Sequence, residues 1–248
     1  MSGIRLLLAL LLAALGAGHA RADSDALWHI IHDRCVPDQL SNNNPAPCVS
    51  VDLAGGTVVL KDRDGATQYL LMPTAKITGI EDPAILAPAA PNYFAAAWQQ
   101  RNLVDQAAGQ ILPDDDIALA INSAYGRTQN QLHIHIDCLR TDVAAALRAH
   151  AAAVGVAWAP FPVKLADQPY LARRITADLS DVDPFALLAD GVAGARADMG
   201  KWTLALTSVT LAGTPTFILL AGHVDAATGD RGSGEELQDH ACAIKSGG

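Results

Sequence analysis

The chain has 248 residues, half of them apolar and 17% charged, with a formal net charge of −9. This excludes a disordered chain and leaves material for one large domain or two small ones, with a core built mainly from Ala, Leu, Val and Ile because only 5% of residues are aromatic. It also excludes a nucleic-acid coat, which needs a clustered basic face, and with four cysteines but no Cys-x-x-Cys it offers no zinc ribbon.

Residues 1–22 read as an address. Arg5 supplies a positive start, Leu6 to Leu15 an apolar run, and Ala20-Arg21-Ala22 a small-x-small cleavage site. A secretory signal peptide is predicted; the run is short of the roughly 20 residues of a spanning helix, so an uncleaved anchor is the other reading. Export follows on either reading. Losing Arg5 and Arg21 takes the charge from −9 to −11. An oxidising compartment permits disulfides. Four cysteines allow three pairings. The expected one closes the Pro/Asn-rich stretch between Cys35 and Cys48, leaving Cys138 to tie a central strand to Cys242 in the tail.

Ala26 to Arg34 is predicted as a short helix with Leu27, Ile30 and Ile31 on one stripe, followed by a loop. Val49–Leu53, Thr57–Lys61 and Thr67–Leu71 then form an antiparallel meander, punctuated by Gly55-Gly56 and Asp64-Gly65 and ended by Pro73. Asn92 to Gly109 is a helix entered from Pro91-Asn92. Ile117–Asn122 and Leu132–Leu139 are strands, and Asp142–Ala153 an Ala-rich helix. The texture resets around Pro160 and Pro162. A helix from Pro184 to Arg196 and strands Trp202–Leu211 and Thr216–Ala221 follow. The predicted class is α+β, with a catalytic half over 23–158 and a second α+β half over 159–248 whose element order matches a degenerate repeat.

The chemistry concentrates in Ile121 to Asp137. From Gln131 to Asp137 polar and apolar residues alternate, so a strand puts His133, His135 and Asp137 on one face and Leu132, Ile134 and Ile136 on the other. A central imidazole held by its neighbours suits nucleophilic catalysis. Two histidines on a half-exposed strand can also be incidental, or share a cation with Asp137. No further His or Glu follows at motif spacing, and no required cofactor or divalent ion is expected. Around this row, Gln129 lies four residues and Asn122 eleven residues before His133.

These offsets resemble the histidine-triad superfamily of nucleotide hydrolases and transferases, with Asp137 where the third His would stand and Asn130 in place of a small hydroxyl residue. Cys35-Val36-Pro37-Asp38-Gln39, Tyr69-Leu70-Leu71-Met72-Pro73-Thr74, Asn122 to Asn130 and Gly232 to His240 further resemble the bacterial CDP-diacylglycerol pyrophosphatase family over nearly the whole mature chain. The resemblance implies a histidine-triad-like antiparallel sheet and hydrolysis of CDP-diacylglycerol at a membrane surface to CMP and phosphatidate, in the periplasm or on the periplasmic face of the bacterial inner membrane. It implies attack by His135 to give a CMP–histidine intermediate, with His133 and Asp137 orienting the ring. Asn122, Ser123, Gln129 and Asn130 are the expected phosphate donors, with Arg127 and Lys76 as candidate cations. Glu235, Glu236, Asp239 and His240 either cap the site or form a solvated tail. His29, His32 and His223 read as surface or structural residues, and Trp28, Trp98, Trp158 and Trp202 as core or interface. The protein is expected to be a monomer or a homodimer.

Overall fold

The computed structural model describes residues 23–246; the predicted signal segment lies outside them. One nine-stranded antiparallel sheet runs through the chain in the order β1-β2-β3-β5-β4-β8-β9-β7-β6. The strands are β1 (Ser50–Asp52), β2 (Thr57–Lys61), β3 (Tyr69–Pro73), β4 (Ile117–Ile121), β5 (Ile134–Cys138), β6 (Ala159–Pro160), β7 (Leu171–Ile175), β8 (Trp202–Leu211) and β9 (Thr214–His223). The α+β class is as expected, and the sheet crosses residue 159 without interruption, because β4 pairs with β8.

The order repeats about the β4–β8 seam. Going outward, β4-β5-β3-β2 on one side has the same connectivity as β8-β9-β7-β6 on the other. The register makes this concrete. A single row across the sheet reads Leu60, Leu70, His135, Ala120, Ala205, Leu220, Ala172, Ala159. His135 and Leu220 thus stand at matching places on either side of the Ala120–Ala205 pair.

Strand alternation gives the sheet two different faces. One carries Ile117, Leu119, Ile134, Ile136, Leu204, Leu206 and Leu219 under α3 (Tyr93–Trp98), α4 (Asn102–Ala108) and α6 (Pro184–Gly191). The helices of the two halves meet there, with Phe94 and Phe185 edge to face at 5.2 Å. The other face carries the histidines and is covered in two patches. Over β2 and β3 lies an N-terminal helical arm: α1 (Ala26–Ile30), a π-helical turn (Ile31–Cys35) and α2 (Val36–Asn42). Over β4, β8 and β9 lie α5 (Thr141–His150) and the C-terminal segment.

Several local readings change. The helical arm extends to Asn42 through the stretch expected to be a loop, with Pro37 just after the π-helical turn, where the regular i→i−4 ladder is already interrupted. β3 begins two residues later than expected, which frees Thr67 and Gln68 from the ladder. The helix expected over 92–109 breaks at Gln99–Arg101. The β8–β9 connection tightens to Ala212-Gly213, both at positive φ as a two-residue hairpin requires. β6 and β7 had no strand signal: Arg173 and Arg174 interrupt the apolar pattern of β7. Both disulfides form as paired above, Cys35–Cys48 and Cys138–Cys242. Among the described residues no helix is long and apolar enough to cross a membrane.

Candidate active site

Between the two patches lies a cleft of about 380 Å³. His133 and His135 stand in its wall, together with Asn122, Arg127 and Gln129 from the preceding loop. Ala26, Leu27, Ile30 and Arg34 from the helical arm face them, and Leu60, Leu70, Lys61, Arg63 and Asp62 come from the β2–β3 hairpin. Aliphatic side chains therefore share one cleft with several cations. Glu235 reaches it from the C-terminal segment.

Both imidazoles are nearly buried, at 7% and 4% exposure. Burial lowers the His133 pKa, against the pull of the Gln131 carbonyl, and pushes His135 down to about 3. Both rings are neutral at physiological pH. The Gln131 carbonyl oxygen, 2.6 Å from His133 Nδ1, accepts its proton. His135 Nδ1 lies 2.6 Å from the Gln68 amide. His135 Nε2 is buried and has no hydrogen-bond partner among the described residues, although Glu235 Oε2 lies beside it at 3.5 Å.

Asp137 lies behind the row. Its carboxylate accepts from Thr67 Oγ1 at 2.5 Å, the Cys138 amide at 2.8 Å and His240 Nδ1 at 2.8 Å. Neither His133 nor His135 is among these partners. His240 Nε2 reaches Glu235 Oε1 at 3.2 Å. Held by Asp137 first and Glu235 second, the His240 imidazole is pushed up to about 10. Burial would raise the Glu235 carboxyl, but hydrogen bonds from His240, Asn122 and Gln68 outweigh it and hold it well below the usual carboxylate range. Asn122 Nδ2 donates to Glu235 Oε2 at 2.9 Å, and Asn122 Oδ1 accepts from Ser233 Oγ at 3.1 Å and from the Glu235 amide at 3.2 Å.

The C-terminal segment lies close on the sheet. A Cβ on Gly234 would stand 2.6 Å from Thr203 Oγ1, 3.0 Å from the Leu204 carbonyl oxygen and 3.5 Å from Ala120 Cβ. Gln238 Nε2 donates to the Ala118 carbonyl at 2.7 Å, and the Asp239 amide donates to the Cys138 carbonyl at 2.9 Å.

The other expected phosphate groups are engaged with the protein. Arg127 forms a two-pronged pair with Glu81, at 2.7 and 2.5 Å. Gln129 Oε1 accepts from the Leu27 amide and its Nε2 donates to the Asp23 carbonyl. Asn130 bonds Ser24, and Lys76 pairs with Asp25 at 2.9 Å. Ser123 Oγ donates to the Arg231 carbonyl. Ser123, Asn130 and Lys76 do not line the cleft; they fasten the segments that do. Thr67 and Gln68 carry no site signal in the sequence, because their pattern continues that of the strand expected over Thr67–Leu71. His240 had a usable signal: a Cys138–Cys242 bond already brings residue 240 beside residue 137.

With this geometry in view, the likeness to known proteins takes on meaning. Residues 22–246 match the family model described as CDP-diacylglycerol pyrophosphatase. The chain belongs to the CDP-diacylglycerol pyrophosphatase family. It is 48% identical, over 224 residues, to the CDP-diacylglycerol pyrophosphatase of Yersinia pestis, covering 90% of this chain and 86% of that one. Every residue of the cleft wall falls inside the span that matches the CDP-diacylglycerol pyrophosphatase model.

Proposed function

We propose that this protein hydrolyses the pyrophosphate bond of CDP-diacylglycerol, giving CMP and phosphatidate, through a CMP–histidine intermediate on His135. The observation that carries the reading is His135 Nε2, buried in the wall of a mixed cationic and aliphatic cleft with no hydrogen-bond partner among the described residues. Such an orphan is costly unless chemistry uses it. Attack needs the ring proton on Nδ1. Gln68 Oε1 is itself buried and unpaired among the described residues, and a half-turn of that amide, which gives up its bonds to Asp62 and Glu235, lets it accept from Nδ1–H and leaves the lone pair on Nε2. The Nε2–P bond then forms as the P–O bond to phosphatidate breaks. Water displaces the ring in the second step, and two easier displacements replace a hard one.

Asn122, Gln129 and Arg127, with Lys61, Arg63 and Arg34, surround the place for the diphosphate. Leu27, Ile30, Leu60 and Leu70 suit the apolar part of a lipid nucleotide. His133, with its proton held by Gln131, keeps its ring fixed beside His135, the centroids 4.9 Å apart. Ser123, Asn130 and Lys76 contribute by holding the cleft walls. The half over 159–248 supports the reading as a degenerate repeat that completes the sheet without a second site, since Leu220 occupies the place matching His135. We place the activity on the periplasmic face of the inner membrane, consistent with two disulfides.

The test is hydrolysis of CDP-diacylglycerol in detergent micelles in excess chelator. Turnover should persist in the wild type and fall on the order of 10⁴-fold or more in His135→Ala, the scale of removing a nucleophile. Quenched reactions should leave CMP on His135. Equal turnover of dinucleotides such as ADP-ribose would remove the lipid claim, and a label recovered on another residue would remove the assignment of His135.

A further inference from the structure

The sequence gives Asp137 the place of a ring-orienting partner for His135, yet the Asp137 carboxylate is spent elsewhere. Its oxygens bind Thr67, the Cys138 amide and His240. The carboxylate that does lie at the reacting nitrogen is Glu235, 3.5 Å from His135 Nε2 and not aligned to hydrogen-bond with it. We infer that Glu235 is a catalytic residue, the counter-ion of the His135 ring, and that His240 standing on Asp137 is the positioning residue that keeps it there. This rests on the covalent reading above.

The charge balance explains the need. When neutral His135, carrying its proton on Nδ1, attacks phosphorus, the Nε2–P bond forms and the P–O bond to phosphatidate breaks, the electron pair leaving with oxygen. The ring is then a cation in a site so dry that a free imidazolium is strongly disfavoured. When water attacks, the P–Nε2 bond returns its pair to nitrogen, the ring is neutral again, and the water proton goes to solvent. A fixed anion beside Nε2 stabilises the cationic stage of both steps, as a buried carboxylate does for the imidazolium of a catalytic triad.

Glu235 is built to stay ionised and to stay in place. With the Gln68 amide turned as attack requires, three contacts still hold it: His240 at 3.2 Å, Asn122 Nδ2 at 2.9 Å, and Asn122 Oδ1 through the Glu235 amide at 3.2 Å. His240 in turn has both ring nitrogens committed, one to Asp137 and one to Glu235, so it sits as an imidazolium between two carboxylates. That positive charge also moderates the repulsion an incoming diphosphate would meet at Glu235.

The test uses the full chain with CDP-diacylglycerol in micelles, following steady-state turnover and the CMP adduct on His135 in single-turnover quenches. Glu235→Gln, which keeps the shape and removes the charge, should lower kcat and the rate of adduct formation about 100-fold with KM little changed. Glu235→Asp, which keeps the charge, should recover about 10-fold of that loss. His240→Gln should lower kcat about 10-fold, again with KM little changed. Activity within threefold of wild type in Glu235→Gln, or a Glu235→Asp no better than Glu235→Gln, overturns the counter-ion role while leaving the adduct on wild-type His135 intact. Absence of any adduct on wild-type His135 sinks the covalent reading itself, and the counter-ion with it.

Discussion

Removing the Cys138–Cys242 bridge separates its two contributions, to the fold and to the site. The bond closes 104 residues, whereas Cys35–Cys48 closes 13. If a bridge acts by restricting the unfolded chain, loops of these lengths are worth about 4.7 and about 3 kcal/mol. The double variant Cys138→Ala/Cys242→Ala should therefore lose roughly 1.5–2 kcal/mol more than Cys35→Ala/Cys48→Ala. Urea unfolding of both, monitored by fluorescence and by far-ultraviolet dichroism, reads the difference. The long bridge also anchors the segment bearing Glu235 and His240. Without it that segment keeps its bonds through Gln238 and Asp239, so it loosens rather than detaches. A misplacement of about 1 Å at a reacting centre costs on the order of 10–100-fold, and kcat of the folded long-bridge variant should fall by that factor. The short-bridge variant should keep kcat. The reasoning is refuted if the stability ranking reverses, or if the long-bridge variant unfolds earlier yet turns over at the wild-type rate.

Two further outcomes follow from the same structure. His240 is raised in the folded state, so the stability it contributes is complete below its ordinary value of 6.5 and drains away as pH climbs toward about 10. Glu235 is lowered, so its contribution is complete above 4.5 and is lost in acid. The gap in melting temperature between wild type and His240→Gln should thus narrow steadily from pH 7 to pH 10; a constant gap contradicts the ion-pair assignment. Asn92 caps α3 by accepting from the Ala95 amide at 3.0 Å, and its Nδ2 donates to the Leu179 and Val182 carbonyls at 2.8 and 3.0 Å. Asn92→Ala should cost about 2–4 kcal/mol in urea unfolding, with kcat unchanged in the folded protein.

The legibility of this chain follows from how far each signal reaches. Strand alternation around His133 and His135 is a local pattern and predicts their face correctly. The pairing of Cys35 with Cys48 is nearly as local once export is assumed, and the long Cys138–Cys242 bond is what remains. Thr67 and Gln68 show the limit: their mixed polarity fits a strand end, and only pairing with β5 decides that β3 starts at Tyr69. Arg127, Gln129 and Lys76 show another. A cation or amide near a histidine motif suggests phosphate, but whether Glu81, the Asp23 carbonyl or Asp25 already holds it depends on contacts of 46, 106 and 51 residues' separation. Glu235 and His240 lie about 100 residues from the strand they serve; the tail motif marks them as possible caps, but which atoms they meet is decided only by the sheet position of that strand.

The alanines at the middle of the sheet row carry no chemistry, yet they act as a spacer. Gly234 rests directly above Ala120 and Thr203, so closely that not even a methyl group on Gly234 would fit between the sheet and the C-terminal segment. Ala120 also pairs with His135 across the ladder. Any bulkier residue there would lift Gly234, and Glu235 with it, away from Nε2 while leaving every polar group of the site unaltered. The tolerance of this site to change is therefore set partly by side-chain volume, and an inventory of reactive groups would pass over the residues that set it.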